Sequence, residues 1–195
     1  AASDVYKRQG MTGSAAAVGL PQSFKSFCIE GQQSISPGWN SFDALVPLAA
    51  STLIGSGRAE LVAEFWRQYG PTTSTGFADN TDGAAFQLGI WELINDGRPA
   101  AGQAASALAG GTFKVAGTHL TAPAVSRAAA WLNGSGTSTG GRGSVALYAL
   151  QSPTKQDQVV CVPLPVVNVT VSPANVDEDG PNTLTYEFTA SPAPT

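Results

Sequence analysis

The chain has 195 residues, which is enough for one well-cored domain and a fragment of another. Charged residues make up only 12% of it, the formal net charge is −4, and 22 residues are glycine. Such a composition suits a secreted or surface-displayed bacterial protein better than a cytosolic enzyme. Because there is no basic patch and no run of about 20 apolar residues, we expect neither nucleic-acid binding nor membrane insertion in this segment.

The first 48 positions are expected to hold a leader, one strand and one short helix. Residues 1–20 are expected to be an unstructured or non-native leader, because their start lacks the apolar stretch of a signal peptide. Aromatic and β-branched residues at 23–29 favour a strand. From Asn40 onward a helix is expected, which Pro47 ends or kinks. Its apolar residues are Phe42, Leu45, Val46 and Leu48.

Two amphipathic helices are predicted next. The first covers 59–69, where apolar residues recur at i, i+3, i+4 and i+7 before Gly70-Pro71 ends the pattern. The second covers about 82–95, with Asn or Asp before it as a cap and Asp96-Gly97 closing it.

Shorter elements follow, after a stretch at 98–111 whose Ala/Gly-rich pattern favours no element. In chain order they are a strand at 112–116, a helix at 122–132, a flexible loop or hairpin tip at 133–144, and strands at 145–150 and 158–162. Strands thus bracket a helical middle. The expected fold class is α+β, a barrel- or sandwich-like β-subdomain with an inserted helical subdomain.

A domain boundary is predicted at Pro163-Leu-Pro, so that the main domain covers residues 21–164. Beyond it, residues 166–171 alternate apolar and polar side chains, and a second strand-like run begins at Leu184. Residues 165–195 are therefore expected to be the truncated start of a β-sandwich-like repeat, a partial all-β module.

Gln87 is an amide in an otherwise apolar helical run, Ala-Phe-Gln-Leu-Gly-Ile-Trp-Glu-Leu-Ile. Its neighbours at i+3, i+4 and i+7 are Ile90, Trp91 and Ile94, so all four side chains share one helix face. Burying an amide without a hydrogen-bond partner costs roughly 1–3 kcal/mol. We therefore expect Gln87 to have a specific partner elsewhere in the chain.

Cys28, in the strand-like run Ser-Phe-Cys-Ile-Glu, is the partner that would add chemistry to this amide. Attack of a cysteine sulfur on a glutamine amide, with loss of ammonia, gives an internal thioester. The reaction requires that the amide be held against the sulfur and that water be excluded. The apolar neighbours of the pair are the expected pocket walls: Phe27, Phe86, Ile90 and Trp91.

Phe27-Cys28-Ile29, followed by Phe86-Gln87-Leu88-Gly89-Ile90-Trp91, resembles the signature of bacterial thioester domains. These domains occur at the tips of surface proteins and adhesins. Their signature pairs an aromatic-Cys-aliphatic strand with a helix that reads hydrophobic-Gln-x-x-hydrophobic-hydrophobic. The resemblance covers residues ~21–164, and the segment after it looks like the start of a repeat from large bacterial surface proteins.

The resemblance implies a function and a place for it. Cys28 would supply the sulfur and Gln87 the acyl carbon of a self-formed thioester, without a cofactor or a metal. The bond would react once with an amine, most simply a lysine of a host or neighbouring surface protein, so the domain would not be an enzyme. It would be a monomeric tip domain of a multi-domain protein at the cell surface.

Other interpretations remain open from the residues themselves. Gln87 could be only a core amide that is hydrogen-bonded to backbone groups, which is the favoured interpretation for an isolated helix. Cys161 could form a disulfide with Cys28, or it could be a buried free thiol that behaves as a small hydrophobe. The chain could then be a non-covalent binding or structural module of a large surface protein. Finally, His119, the single histidine, could act with Cys28 in a cysteine hydrolase.

Overall fold

Four α-helices and two antiparallel sheets make up the described part of the chain, which is a mixed α+β protein. In this computed structural model, the described residues are 20, 24–34, 42–72, 76–119, 121–136, 145–164, 166–175 and 183–191. The chain divides into two compact units, Ala1–Pro163 and Leu164–Thr195. Apart from residue 20, the predicted leader lies outside the described residues, as does the 137–144 part of the predicted loop.

In chain order, the first unit has two strands, then its four α-helices, then two more strands. The strands are β1 (Phe27–Cys28), β2 (Ala44–Pro47), β3 (Val145–Gln151) and β4 (Gln158–Pro163). The helices are α1 (Gly55–Tyr69), α2 (Asn80–Asn95), α3 (Ala104–Gly110) and α4 (Pro123–Gly134). Short 3-10 helices cover Leu48–Ala50 and Gly117–His119. None of the described helices combines the length and apolar character needed to cross a bilayer.

The four strands form one antiparallel sheet in the order β1-β4-β3-β2. The described strands do not close into a barrel, so β1 and β2 are edge strands. In the register of β1 with β4, Cys28 lies opposite Gln158. This pairing places the predicted cysteine at the rim of the sheet.

Alternation along the strands gives the sheet two apolar faces. Val159 and Cys161 of β4 belong to the helix-facing core, which also contains Phe27 and the buried side chains of α1, α2 and α4. Val160 and Val162 point the other way into a smaller rear core with Phe24 and Leu150. Because successive strand residues point to opposite faces, Cys28 and Gln158 both direct their side chains to the rear face.

The predicted limits of α2 are confirmed by its caps. The Asp79 carboxylate accepts a hydrogen bond from the Thr81 N–H at 2.8 Å, which satisfies one of the free donors at the helix start. At the other end the Asp96 N–H donates to the Glu92 carbonyl at 2.8 Å, and Gly97 follows with φ +92. Both ends of the helix that carries Gln87 are therefore set by local sequence.

The helix predicted around 42–48 is wrong, because residues Ala44–Pro47 form strand β2. Leu45 packs in the rear core, whereas Val46 packs against the helix-facing core. The apolar residues thus alternate with the period of a strand. The sequence pattern indicated a helix because Phe42, Leu45, Val46 and Leu48 also fit a helical spacing. Pro47 is the last residue of β2, which is an edge strand, and proline is tolerated in edge strands.

The strand predicted at 112–116 is also wrong. The N–H groups of Thr112 and Phe113 each donate to the Asp96 carboxylate at 2.8 Å, and the Val115 N–H donates to the Leu108 carbonyl at 2.8 Å. These local bonds take the donors that a sheet would have used. The predicted strand at 23–29 is reduced to β1 with a single bridge at Phe24, and α3 occupies the stretch for which no element was favoured.

At Gly89 helix α2 lies directly against the Phe65 ring of α1. A Cβ added there would overlap the ring of Phe65, so we expect Gly89→Ala to lower the free energy of unfolding by roughly 1–2 kcal/mol, even after the gain in helix propensity. The matched control is Gly57→Ala on α1, where nothing lies within 4 Å of the added carbon. That variant should be more stable by roughly 0.5–1 kcal/mol in the same urea titration. Equal effects of the two changes would show that the helices do not meet at Gly89.

The second unit contains two paired strands, β5 (Val166–Ser172) and β6 (Thr185–Ser191). Val169 pairs with Phe188 and Val171 with Tyr186, so their side chains share one face. Phe188 is 68% exposed and Val169 50% exposed. The segment therefore forms the two strands that its alternating pattern predicted, and the apolar face that they share is exposed to solvent.

Candidate functional site

Cys28 presents its backbone to the open side of the sheet. The Ile29 N–H donates inward to the Asp157 carbonyl of the β4 side at 3.0 Å. Because the hydrogen-bonding groups of successive strand residues point to opposite sides, the N–H and C=O of Cys28 point outward from the edge. The Cys28 side chain is half-buried, so the residue lies at the boundary between core and solvent.

The Gln87 amide pairs with both of these outward groups. Its Oε1 accepts from the Cys28 N–H at 2.8 Å, and its Nε2 donates to the Cys28 carbonyl at 2.8 Å. Gln87 is only 2% exposed, so the two bonds satisfy a buried amide and an unpaired strand edge together. The structure thus brings Cys28 and Gln87 into contact although 59 positions separate them.

The aromatic residues beside the pair hold α2 against β1. The ring of Phe86 lies 4.9 Å from that of Phe27, 5.0 Å from those of Phe65 and Trp66, and 5.3 Å from that of Phe77. Phe86 is fully buried. Since it directly precedes Gln87, this cluster fixes the position of the amide relative to the strand.

The four predicted wall residues lie on the helix side of the sheet. Phe27, Phe86 and Ile90 are fully buried in the helix-facing core. Trp91 is half-buried and packs its ring 5.6 Å from that of Phe113. These residues lie on the helix-facing side of the Cys28 backbone. The Cys28 side chain points to the opposite, rear face of the sheet.

Gln158 is the side chain that hydrogen-bonds the sulfur, and sequence reasoning missed it. It is fully buried opposite Cys28, and its Nε2 donates to the Cys28 Sγ at 3.4 Å. Its Oε1 accepts from the Ser26 hydroxyl at 3.0 Å and from the Cys28 thiol at 3.9 Å. Only the strand register reveals this pair. The one sequence signal was a polar residue at the start of an apolar strand.

The two rival partners of Cys28 lie elsewhere. Cys161 and Cys28 are not joined in a disulfide, and Cys161 lies three positions from Gln158 along β4, on the opposite face. Burial raises the pKa of the Cys161 thiol to about 11, so it stays protonated at neutral pH. His119 is exposed in its 3-10 helix, and no side chain in the described part of the chain hydrogen-bonds its ring to orient it.

The Gln87 amide lies alongside the backbone of Cys28. Hydrogen bonds to the N–H and C=O of one strand residue hold the amide close to the plane of the sheet. The Cβ–Sγ bond of that same residue projects out of the plane. The structure thus places the Gln87 amide against the Cys28 backbone and the Gln158 amide against the Cys28 sulfur.

The backbone of Cys28 complements the charge that would develop if a sulfur attacked the amide carbon of Gln87. Negative charge would build on Gln87 Oε1, which already accepts the Cys28 N–H at 2.8 Å. A fixed donor at a developing oxyanion is commonly the largest electrostatic contribution to acyl transfer. The Cys28 carbonyl, 2.8 Å from Nε2, orients the nitrogen that would leave.

Comparison of the chain with known protein families, with curated proteins and with solved structures finds no match. Among the described residues, no group of three or more His, Cys, Asp and Glu side chains could hold a metal ion. The interpretation of the site therefore depends on its own geometry.

Proposed function

We propose that the chain is an adhesin-type surface domain with an internal Cys28–Gln87 thioester that reacts with amines to form a covalent attachment. The observation that supports it best is the pairing of the Gln87 amide with the N–H and C=O of Cys28, both at 2.8 Å. A buried glutamine has many ways to satisfy its hydrogen bonds. This one anchors the amide on the residue whose sulfur would attack it.

The thioester forms in one balanced exchange. The Cys28 sulfur adds to the amide carbon of Gln87, the C–N bond breaks, and the nitrogen leaves as ammonia with the thiol proton. The Cys28 N–H stabilises the oxyanion during the step. The new bond closes a loop across 59 positions and adds stability by constraining the unfolded chain, as a disulfide does.

The attachment step reverses the roles at the carbon. A primary amine adds to the thioester carbonyl, the Cys28 thiol leaves, and Gln87 is joined to the partner through an amide bond. The half-buried position of Cys28 gives the amine access, while the burial of Gln87 restricts hydrolysis. The natural partner is an amine-bearing surface ligand such as a protein lysine. Because the reaction occurs once, the domain is not an enzyme.

The proposed setting is extracellular, at the tip of a multi-domain surface protein. The first unit would be a β-subdomain with an inserted helical subdomain, and residues 165–195 the opening strands of a β-sandwich-like repeat. The 68% exposure of Phe188 and the 50% exposure of Val169 support the second part. Apolar side chains on one face of a hairpin are buried when further strands complete a sandwich.

The mass of the intact folded protein tests the proposal. We expect it to be lighter than the sequence mass by one ammonia, and we expect Cys28→Ala and Gln87→Ala each to lose this deficit. Gln151→Ala, on the neighbouring strand β3, is the matched control and should keep it. A deficit of two hydrogens would instead indicate a Cys28–Cys161 disulfide, and a full sequence mass would reject the thioester.

A non-covalent structural or binding module is the second candidate, and one observation favours it. The two hydrogen bonds to Cys28 already satisfy the Gln87 amide without a covalent bond, and neither cysteine is in a disulfide. For such a module, Gln87→Ala would cost stability without changing the mass deficit, because there would be none. A hydrolase using Cys28 and His119 is supported by no comparable contact in the described residues.

A further inference from the structure

We propose that Gln158 is a second acyl donor for the Cys28 sulfur, so that the thioester can form at its amide carbon as well as at that of Gln87. This inference rests on the proposed function in one respect, that a glutamine amide acylates Cys28, and goes beyond it by naming a second carbon. Each molecule has one Cys28 sulfur and therefore holds one such bond at a time.

The Cys28 sulfur lies against both polar atoms of the Gln158 amide. Nε2 donates to Sγ at 3.4 Å, and the thiol donates to Oε1 at 3.9 Å. The amide carbon is bonded to both of these atoms, so it lies within the same contact. The two 2.8 Å hydrogen bonds of Gln87 run instead to the backbone N–H and C=O of Cys28. The sulfur itself is thus in contact with a glutamine amide that the sequence did not indicate.

The strand register produces this contact. Cys28 and Gln158 lie opposite each other in the antiparallel pair of β1 and β4, and such residues place their Cβ atoms about 4.5–5.5 Å apart on one face of the sheet. Groups held together in this way gain the rate advantage of an intramolecular reaction. Gln158 is fully buried, so a thioester formed at its carbon is protected from hydrolysis.

The other partners of the Gln158 amide also suit acyl transfer. The Ser26 hydroxyl donates to Oε1 at 3.0 Å, where negative charge builds when a nucleophile adds to the carbon. The Gln156 carbonyl accepts from Nε2 at 3.1 Å and orients the nitrogen that leaves. Because Ser26 is fully buried as well, its hydrogen bond is not weakened by competing water.

The exchange at Gln158 balances in the same way as the exchange at Gln87. The Cys28 sulfur adds to the amide carbon, the C–N bond breaks, and the nitrogen leaves as ammonia with the thiol proton. A primary amine then adds to the thioester carbonyl and gives a proton to the departing sulfur. Gln158 is left joined to the amine through an amide bond.

Methylamine treatment of the folded, unmodified protein identifies the glutamine that carries the acyl group. Opening of the thioester by methylamine leaves an N-methyl amide on that side chain, which adds one CH2 to its mass. Cleavage after lysine and arginine places Gln87 and Gln158 in different peptides, so tandem mass spectrometry locates the methyl amide. We expect it at position 158, with or without a second population at position 87. Cys28→Ala is the control and should carry it at neither position.

The position of the methyl amide separates this inference from the proposed function. A methyl amide at 87 alone would overturn the inference and leave the proposed function intact. One at 158 alone would support the inference and reject Gln87 as the acyl carbon, whereas none at either position would reject both bonds. Loss of the mass deficit in Gln87→Ala fits either bond, because the Gln87 amide also holds the Cys28 backbone in place.

Ser26→Ala tests the environment of the Gln158 carbon while keeping the carbon itself. It removes the donor to Oε1 and deletes only one atom from a buried position. When methylamine is added at intervals after refolding, the methyl amide at 158 should appear more slowly, on the order of a hundredfold. Gln151→Met, on the neighbouring strand, is the control and should leave the rate unchanged. An unchanged rate in folded Ser26→Ala would contradict acyl transfer at the Gln158 carbon in the hydrogen-bonded arrangement described.

Discussion

Phe86→Ala should lower the free energy of unfolding by about 3–5 kcal/mol. The ring is fully buried and meets four other aromatic rings at centroid distances of 4.9 to 5.3 Å. Removing it leaves a cavity where α1, α2 and β1 join, and the surrounding rings cannot all move to fill it. Urea unfolding followed by far-UV circular dichroism measures the loss as a lower transition midpoint.

Phe113→Ala is the matched control for this truncation. Phe113 is half-buried, and its ring lies 5.6 Å from that of Trp91 on the outer side of α2. Its loss should cost about 1 kcal/mol, because less apolar surface returns to water. Similar losses for the two variants would contradict the assignment of Phe86 to the centre of the core.

The proposed chemistry adds a second readout to the same variant. Phe86 holds the helix that carries Gln87, and small displacements of a reacting group slow intramolecular reactions strongly. At temperatures where Phe86→Ala remains folded, a smaller fraction of molecules should therefore show the deficit of one ammonia. Phe113→Ala should show the full deficit.

Local signals in the sequence were sufficient for most of the helices. The helix predicted at 82–95 is observed at Asn80–Asn95, and that predicted at 122–132 at Pro123–Gly134. Caps, apolar spacing and terminating glycines act within a few residues of where they are read. The helix predicted at 59–69 begins earlier, at Gly55, because its first turn carries no apolar periodicity.

The strands depended on information that lies far away in the chain. Whether residues 44–47 form a helix or a strand is decided by pairing with β3, about a hundred positions later. Such pairing is not visible in a window of a few residues. At 112–116 the alternating pattern suggested a strand. The backbone donors there bind the Asp96 carboxylate instead of a neighbouring strand.

The candidate site divides in the same way. The conflict between a polar amide and an apolar helix face identified Gln87 and required a partner for it. That the amide binds the backbone of Cys28, and that Gln158 faces the sulfur, both follow from β1 being an edge strand in register with β4. Residue types indicated the proposed pair, and sheet topology supplied the groups around it.

Glu92 should make the protein less stable as the pH rises from about 4.5 to about 7. It is 1% exposed on α2, and its Oε2 has no hydrogen-bond partner in the described part of the chain. Burial, and secondarily the negative charge of Asp96, raise the pKa of the Glu92 carboxyl from 4.5 to about 7. Between these values the folded protein keeps a proton that the unfolded chain has lost, so stability falls as pH rises and is constant above.

The expected loss between pH 4 and pH 8 is on the order of 2–3 kcal/mol from this residue. Glu92→Gln is the matched variant, because it keeps the shape of the neutral acid and cannot ionise. The pKa of the Asp157 carboxyl is also raised and that of Asp96 is lowered, but both groups are present in the two proteins. To a first approximation their contributions cancel in the difference between them.

Urea unfolding of the two proteins at pH 4 and pH 8 gives that difference directly. The proteins should be similar at pH 4, where Glu92 is protonated in both the folded and unfolded states. At pH 8 Glu92→Gln should be the more stable, since folding no longer requires a charge to remain buried without a partner. Equal stability at both pH values would mean that the Glu92 carboxylate reaches water or a cation when it ionises, and that α2 does not enclose it.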